Sequence, residues 1–280
     1  MQPFNPPCVL SIAGTDPSGG AGIQADIKAI SATGAYAASV ITALVAQNTQ
    51  GVQSILEVSP EFVIKQLESV ISDLNIVAVK IGMIHNQRLI TVVADFLAKH
   101  PIKHVVFDPV MVAKNGCNLL EPDTIDCLKQ ILLPRVTLVT PNLPEAEKLL
   151  AITIDSPFIM AQAAKKLAEE YKFNVLIKGG HLSTAQSSDV LYDFHTESHH
   201  WFHAERVASK HTHGTGCTFS SAIASYLAQG FSLQQAISTA KQYLTKAIEA
   251  GRTLQVGQGR GPVDHFYFLE NRQYDLRTNA

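Results

Sequence analysis

The chain predicts an α/β fold with a central, mostly parallel sheet and helices on both faces. Two observations predict it. Short apolar runs that end at glycine or at a polar residue alternate with longer stretches whose apolar residues recur at helical spacing, the pattern of buried parallel strands joined by helical crossovers. With 280 residues, 46% of them hydrophobic, the chain can bury one large core. One domain spanning the whole chain is expected, because no repeat, linker or low-complexity tract interrupts it.

The elements follow in order. Cys8 to Ala13 reads as a buried strand ending at Gly14. After the turn Thr15 to Gly20, Ile23, Ile27 and Ile30 mark a helix that stops at Gly34. Ser39 to Val45 reads as one strand and Gly51 to Val58 as another. Ser59-Pro60-Glu61 opens a helix with a capping serine, a first-turn proline and an early acid. Ile76 to Val79 is the next strand, followed by a helix around Leu89 to Leu97. His104 to Phe107 ends at Asp108-Pro109, and Glu121-Pro122 starts a helix to Leu133. Val136 to Val139 ends at Thr140-Pro141-Asn142, and a helix pair precedes the strand Val175 to Ile177. Strand-like runs at Val190 to Phe194 and His200 to His203 come next. A closing helix carries Leu233, Ala236, Ile237, Ala240, Leu244, Ala247 and Ile248 on one face.

Composition excludes several classes of function. The net charge is −2 with Lys and Arg scattered, which argues against a nucleic-acid or membrane-surface binder. No apolar run approaches the ~20 residues of a membrane span, and Met1 to Pro7 has no signal-peptide core. Cys8, Cys117, Cys127 and Cys217 lack metal-ligand spacing. A cytoplasmic enzyme with reduced thiols is the expectation.

In open sheets of this kind ligands sit beyond the carboxyl ends of the strands. The polar residues that follow the strands are therefore the site candidates: Gly14 to Gly20, Gln47, Lys80, Asp108, Asn142, Glu145 and Lys178. The most informative segment is His213-Gly214-Thr215-Gly216-Cys217, a glycine-rich turn running into an apolar helix. Unpaired N–H groups at such a helix start converge on an anion. The positive end should also lower the pKa of Cys217. A helix entry with a small buried cysteine is the alternative for this segment taken alone.

Two motif readings fail. Gly14 to Gly20 has the outer glycine spacing of a P-loop, but Gly20-Ala21 stand where Lys and Ser or Thr are needed. Gly20 to Ala25 fits a dinucleotide fingerprint only loosely and lies far from its strand, so a nicotinamide dehydrogenase is a distant rival.

Several motifs together identify a family. Gly14-Thr15-Asp16-Pro17-Ser18-Gly19-Gly20-Ala21-Gly22-Ile23-Gln24-Ala25-Asp26 and Thr42 to Thr49 resemble the hydroxymethylpyrimidine/phosphomethylpyrimidine kinases of thiamine biosynthesis. Lys80-Ile81-Gly82-Met83, Asp108-Pro109-Val110-Met111, Thr140 to Ala146, Lys178-Gly179-Gly180-His181 and the Gly-Thr-Gly-Cys turn occur in the family's order. The resemblance runs from about Val9 to about Phe266. It implies a ribokinase-like three-layer sandwich, with ATP and substrate meeting at the carboxyl edge of the sheet. The implied reaction is two successive transfers from ATP, first to the pyrimidine's hydroxymethyl group and then to the resulting phosphate.

Roles follow from that resemblance. Gly214, Thr215, Gly216 and Cys217 form an anion hole for the moving phosphoryl group, and Cys217 is the general base. Lys178 lies on the ATP phosphates. Asp108, Glu145 and Asn142 serve Mg²⁺, although Asn-x-x-Glu at a strand-to-helix junction is also a capping box. Gln47 reads the aminopyrimidine edge, since a primary amide offers one acceptor and two donors. Gly14, Asp26, Met83 and Val110 surround the ring, with a solvated charge as the alternative for Asp26. Lys114 to Asn118 has turn chemistry and suits a lid. His195, His199, His200 and His203 are split between the faces of a hairpin, so a solvated edge or subunit contact is favoured over a metal cluster. His211 and His213 have no evident chemical task. A homodimer is expected, with the exposed edge around Val190 to His203 and Trp201 as its surface. A pyridoxal kinase of the same fold is the runner-up function, and a non-catalytic pyrimidine binder is a third.

Overall fold

In the computed structural model, residues 5–111, 124–180 and 186–269 are described. The chain opens with β1 (Cys8–Ala13), α1 (Gly22–Ala32), β2 (Tyr36–Ile41), β3 (Ala43–Asn48) and β4 (Gly51–Glu57). Then come α2 (Pro60–Asp73), β5 (Ile76–Ile81), α3 (Gln87–Lys99), β6 (His104–Phe107) and the short α4 (Thr124–Cys127). The second half contains β7 (Leu138–Val139), α5 (Leu143–Leu150), α6 (Pro157–Tyr171), β8 (Asn174–Ile177), β9 (Gln186–Asp193) and β10 (Ser198–Glu205). It ends with α7 (Thr215–Ala228) and α8 (Leu233–Gly251).

Eight strands form one sheet in the order β10-β9-β8-β7-β6-β5-β1-β2. Pairing is parallel from β2 through β8, and β9 and β10 add an antiparallel edge. The chain steps from β1 outward to β2 and returns on the other side at β5. That reversal leaves a crevice beyond the carboxyl ends of β1 and β5.

Helices cover both faces. Ile30 of α1, Phe219, Ile223 and Leu227 of α7, and Ile237 and Tyr243 of α8 pack on one side with Val9, Val106 and Leu176 of the sheet. Leu67 of α2, Leu89 and Val93 of α3, Leu149 of α5 and Leu167 of α6 pack on the other. The arrangement is the expected three-layer sandwich. No helix among the described residues is long and apolar enough to cross a membrane.

Three expectations change. The run Ser39 to Val45 is not one strand: β2 stops at Ile41, and β3 starts at Ala43 in a separate antiparallel ribbon with β4. Thr42 makes the break. Its N–H donates to the Ala13 carbonyl at 3.0 Å and its Oγ1 to the Met83 carbonyl at 2.8 Å. The helix expected from Glu121 to Leu133 begins outside the described residues. Within them, α4 widens into a π turn (Leu128–Leu132) and tightens into a 3₁₀ turn (Leu133–Arg135) carrying Pro134. The third change is in length: only Leu138 and Val139 of the run Val136 to Val139 form the ladder.

One buried histidine makes stability depend on pH. His265 is buried, with Nε2 3.0 Å from Thr218 Oγ1, and burial together with the Lys28 charge depresses its pKa from 6.5 to about 4. A ring held neutral by the fold contributes full stability above its unfolded pKa and loses it as protons bind on the way down. Between pH 6.5 and 4 the loss should reach about 3 kcal/mol. Urea unfolding at both ends of that window should show a flatter acid limb in His265→Gln. An unchanged slope would mean other groups carry the effect.

Candidate active site

Beyond the strand ends lies a cavity of about 790 Å³. Gly14 and Thr15 reach it from β1, Met83 from β5, Asp108 and Val110 from β6, Asn142 from β7 and Lys178 from β8. Val45 and Gln47 arrive from the ribbon, and Leu244, Thr245 and Ile248 of α8 line the cavity too. Leu244 and Ile248 share a face with core residues, so helical periodicity alone reads them as core.

The first turn of α7, Gly214 to Cys217, faces this cavity. Gly214 caps the helix with a left-handed φ of 74°, and no side chain caps the helix start. A β-carbon at Gly214 would collide with the carbonyl of Gly20, so glycine is required on two counts. Thr215 N–H donates to the Thr212 carbonyl at 3.4 Å, and the helix-start N–H groups of Gly216 and Cys217 beyond it suit an anion. The Gly14–Gly20 loop is different, because Asp16 occupies its amides. Asp16 Oδ1 accepts from Ser18 N–H at 2.9 Å, and Oδ2 accepts from Ala21 N–H at 2.8 Å.

Opposite α7 sits a charged cluster. Lys178 Nζ lies 2.6 Å from Asp108 Oδ1, which also accepts from Thr140 Oγ1 at 3.2 Å. Although burial works against it, the ammonium is held above its ordinary value by the carboxylates of Asp108 and Glu145. A β-carbon at Gly216 would stand 3.3 Å from Asp108 Oδ2 and 3.4 Å from Lys178 Nζ. The helix start therefore abuts the pair directly.

Glu145 belongs to a complete capping box. Its Oε2 accepts from Asn142 N–H at 2.8 Å, while Asn142 Oδ1 accepts from Glu145 N–H at 3.0 Å. Burial, reinforced by Asp108, pushes the Glu145 carboxyl up to about 7 against the pull of Lys178. A buried acid poised near neutrality beside a second carboxylate is a group whose charge an incoming cation would fix. Capping and a cation role are compatible here.

Two site expectations are corrected. Asp26 does not meet the cavity; nor is it a solvated charge. It is 0% exposed and accepts from Lys80 Nζ at 2.8 Å, Ser11 Oγ at 2.6 Å and Ser221 Oγ at 2.8 Å. Its carboxylate is consumed in holding Lys80, which is the member of the pair that reaches the cavity. Burial would pull the Lys80 ammonium down, but Asp26, with Cys217 and Asp108 beyond, raises it.

The second correction concerns Cys217. Its thiol is pushed up to about 11, not lowered. Burial is the main cause and the carboxylates of Asp26 and Asp108 add to it. Lys80 and the N–H of Gly22, which bonds the thiol, oppose them without prevailing. The positive helix end is outweighed by desolvation and nearby negative charge.

Sequence reasoning missed His213. Its Nε2 lies 2.6 Å from Asp16 Oδ2 and 3.2 Å from the Gln47 amide. Position directly before the glycine turn was the available signal. Lys241 and Asp189 were also missed: they pair at 2.6 Å and line the cavity. Cys117 and the Lys114 to Asn118 segment lie outside the described residues. The hairpin histidines have separate partners: His199 the Ala161 carbonyl, His200 Ser198 and Gln234, and His203 Ser188.

A crevice at the strand reversal, an uncapped helix start and a lysine-carboxylate cluster define a ribokinase-like small-molecule kinase. The family model of phosphomethylpyrimidine kinase matches residues 16–264. The chain is 50% identical over 273 residues to the hydroxymethylpyrimidine/phosphomethylpyrimidine kinase of Salmonella typhimurium, covering 95% of this chain and 99% of that one. It is 48% identical to the thiamine biosynthesis bifunctional protein ThiED of Geobacter sulfurreducens, where 96% of this chain spans 54% of the relative. Among solved structures, an ADP complex of Bacillus subtilis pyridoxal kinase superposes with a TM-score of 0.87 at 34% identity, covering 94% of this chain and 99% of that one. The chain belongs to the phosphomethylpyrimidine kinase family.

Proposed function

We propose that the protein transfers phosphoryl groups from ATP to 4-amino-5-hydroxymethyl-2-methylpyrimidine and then to its monophosphate, supplying the diphosphate for thiamine diphosphate biosynthesis. The observation that carries this reading is the meeting, in one cavity, of the α7 helix start, the Lys178–Asp108 pair, Cys217 and Gln47.

Phosphoryl transfer is catalysed mainly by positioning and charge stabilisation. The N–H groups of Gly214 to Cys217 stabilise the moving phosphoryl group, and Lys178 neutralises the ATP phosphates. Cys217 takes the hydroxymethyl proton. Gly14, Met83 and Val110 wall the ring, and Gln47 reads its edge. Arg260, Leu244 and Ile248 line the same cavity and remain for the nucleotide.

The residues present fit a magnesium ion. Lys178 and Thr140 both bind Oδ1 of Asp108, which leaves Oδ2 facing Gly216, and Glu145 and Asn142 add oxygen donors. When bound, Mg²⁺ supplies charge neutralisation on the phosphates. Glu145→Gln should raise the magnesium concentration needed for half-maximal rate several-fold. A variant with lower melting temperature and unchanged magnesium titration would leave the carboxylate with its capping role alone.

ADP release with the hydroxymethylpyrimidine, its monophosphate and pyridoxal offered separately tests the substrate. Turnover of pyridoxal alone would favour the second reading, which the fold likeness to a pyridoxal kinase motivates.

The expected assembly is a homodimer in the cytoplasm. β10 is one of the two edge strands of the sheet, but Trp201 on it packs partly against the core. Exposed apolar side chains include Leu44 and Leu56 on the ribbon, Phe62 on α2, Tyr36 on β2 and Phe158 on α6. Light scattering at micromolar concentration should give twice the chain mass; a single-chain mass would refute the dimer.

A further inference from the structure

We propose that His213 is a specificity-determining residue that fixes which end of the Gln47 amide faces the substrate ring. One nitrogen of His213 has two polar neighbours. Nε2 of His213 lies 2.6 Å from Asp16 Oδ2 and 3.2 Å from the Gln47 amide atom placed as Nε2. Asp16 is 1% exposed, and its own oxygens already accept from Ser18 N–H, Ser18 Oγ and Ala21 N–H. Against the effect of burial, these hydrogen bonds and that of His213 hold its carboxyl below the ordinary range. An ionised carboxylate only accepts, so the proton of this short contact belongs to His213 Nε2.

That assignment determines the amide. A nitrogen carrying a proton toward Asp16 has no lone pair for an NH₂ group. The ends of a primary amide are told apart by their partners. The Gln47 atom facing His213 is therefore the carbonyl oxygen, which shares the Nε2 proton with Asp16. One lone pair of that oxygen and the NH₂ group remain for the cavity. They present an acceptor and a donor in a fixed order, matching a ring whose exocyclic amine lies beside an unprotonated ring nitrogen. A ring carrying oxygen in place of the amine would set two acceptors' lone pairs against each other.

The backbone supports this aim. The ladder of β3 with β4 shifts register between Ala46 and Gln47, and such a bulge redirects the side chain that follows. His213 is pinned as well. Its N–H donates to the Gly261 carbonyl at 3.1 Å, and Gly20 packs so closely on the imidazole that a β-carbon there would collide with it.

The inference rests on the aminopyrimidine reading for its choice of substrate, and two measurements keep the two separable. Long-range ¹H–¹⁵N correlation spectra of the ligand-free protein at neutral pH should show His213 Nε2 protonated. A bare Nε2 with the proton on Nδ1 overturns the proposal whatever the substrate is. The second measurement compares kcat/KM for the hydroxymethyl aminopyrimidine and its analogue with oxygen replacing the amine. His213→Phe should lower the amine-to-oxygen preference about tenfold or more, because the amide becomes free to turn over. Equal losses on both rings would assign His213 a merely structural part and overturn the proposal. Wild-type protein that turns over neither ring, with Nε2 protonated, would overturn the aminopyrimidine reading and uphold the orientation of the amide.

Discussion

Replacing Cys217 with alanine should slow transfer to the hydroxymethyl group by ~10²–10⁴-fold and transfer to the monophosphate far less. The first acceptor is an alcohol that keeps its proton at neutral pH and needs a base. The second is a phosphomonoester whose second pKa lies near 6, so it arrives mostly deprotonated. The N–H groups that stabilise the phosphoryl group survive the substitution. The elevated thiol adds a pH signature. With a pKa of about 11, the thiolate fraction of the free enzyme grows tenfold per pH unit across the neutral range. The kcat/KM for the alcohol should climb with that slope, and the monophosphate reaction should stay nearly flat above pH 7. Single-turnover rates for each acceptor, in wild type and Cys217→Ala, decide the matter. Equal slowing of both would make Cys217 a part of the pocket wall.

Lys80→Met should destabilise the protein by about 3–5 kcal/mol, because it strands the Asp26 carboxylate in a fully buried site. Both partners are 0% exposed, and among the described residues Ser11 and Ser221 would remain to satisfy the charge. Asp26→Asn should cost about as much by stranding the ammonium. Removing both charges with an apolar pair of similar volume, Lys80→Met with Asp26→Leu, should recover most of the loss. Urea denaturation of the three variants gives the comparison. Single-variant losses below about 1 kcal/mol would mean the pair contributes as weakly as a surface one. The pair joins β5 to α1 and, through Ser221, to α7. The cycle thus also measures how firmly the sheet holds α7.

Much of this architecture is legible in the sequence because its signals are local. Strand and helix periodicities, the serine cap of α2 and the Asn142–Glu145 box each act within a few residues. The site residues that follow strands are legible for the same reason: strand ends are visible, and the fold sends them to one edge. What escapes depends on distant partners. Thr42 breaks an apolar run only because Ala13 and Met83 bind it. Asp26 looks like a helix-surface acid until Lys80, 54 positions away, is placed against it. The Cys217 pKa goes wrong for a related reason: the helix end can be read from five residues, but burial and the surrounding carboxylates cannot. His213 acquires a task only when Asp16 and Gln47 arrive from the opposite end of the chain.

The detachment of β3 at Thr42 bears on how a kinase of this build changes its substrate. The ribbon carrying Gln47 packs through Ala43, Val45 and Met83, a small cluster separate from the two large cores. Substitutions of its apolar residues leave the two large cores untouched, whereas its polar ties, Thr15 with Ala43 and Val45 and His213 with Gln47, bind it to the strand-end loops. On the proposed roles, ring preference and phosphoryl transfer are linked through His213, which contacts Gln47 and directly precedes the Gly214 turn. A changed ring preference would then call for changes on the ribbon matched at the Asp16 loop and at His213, with both large cores left as they are.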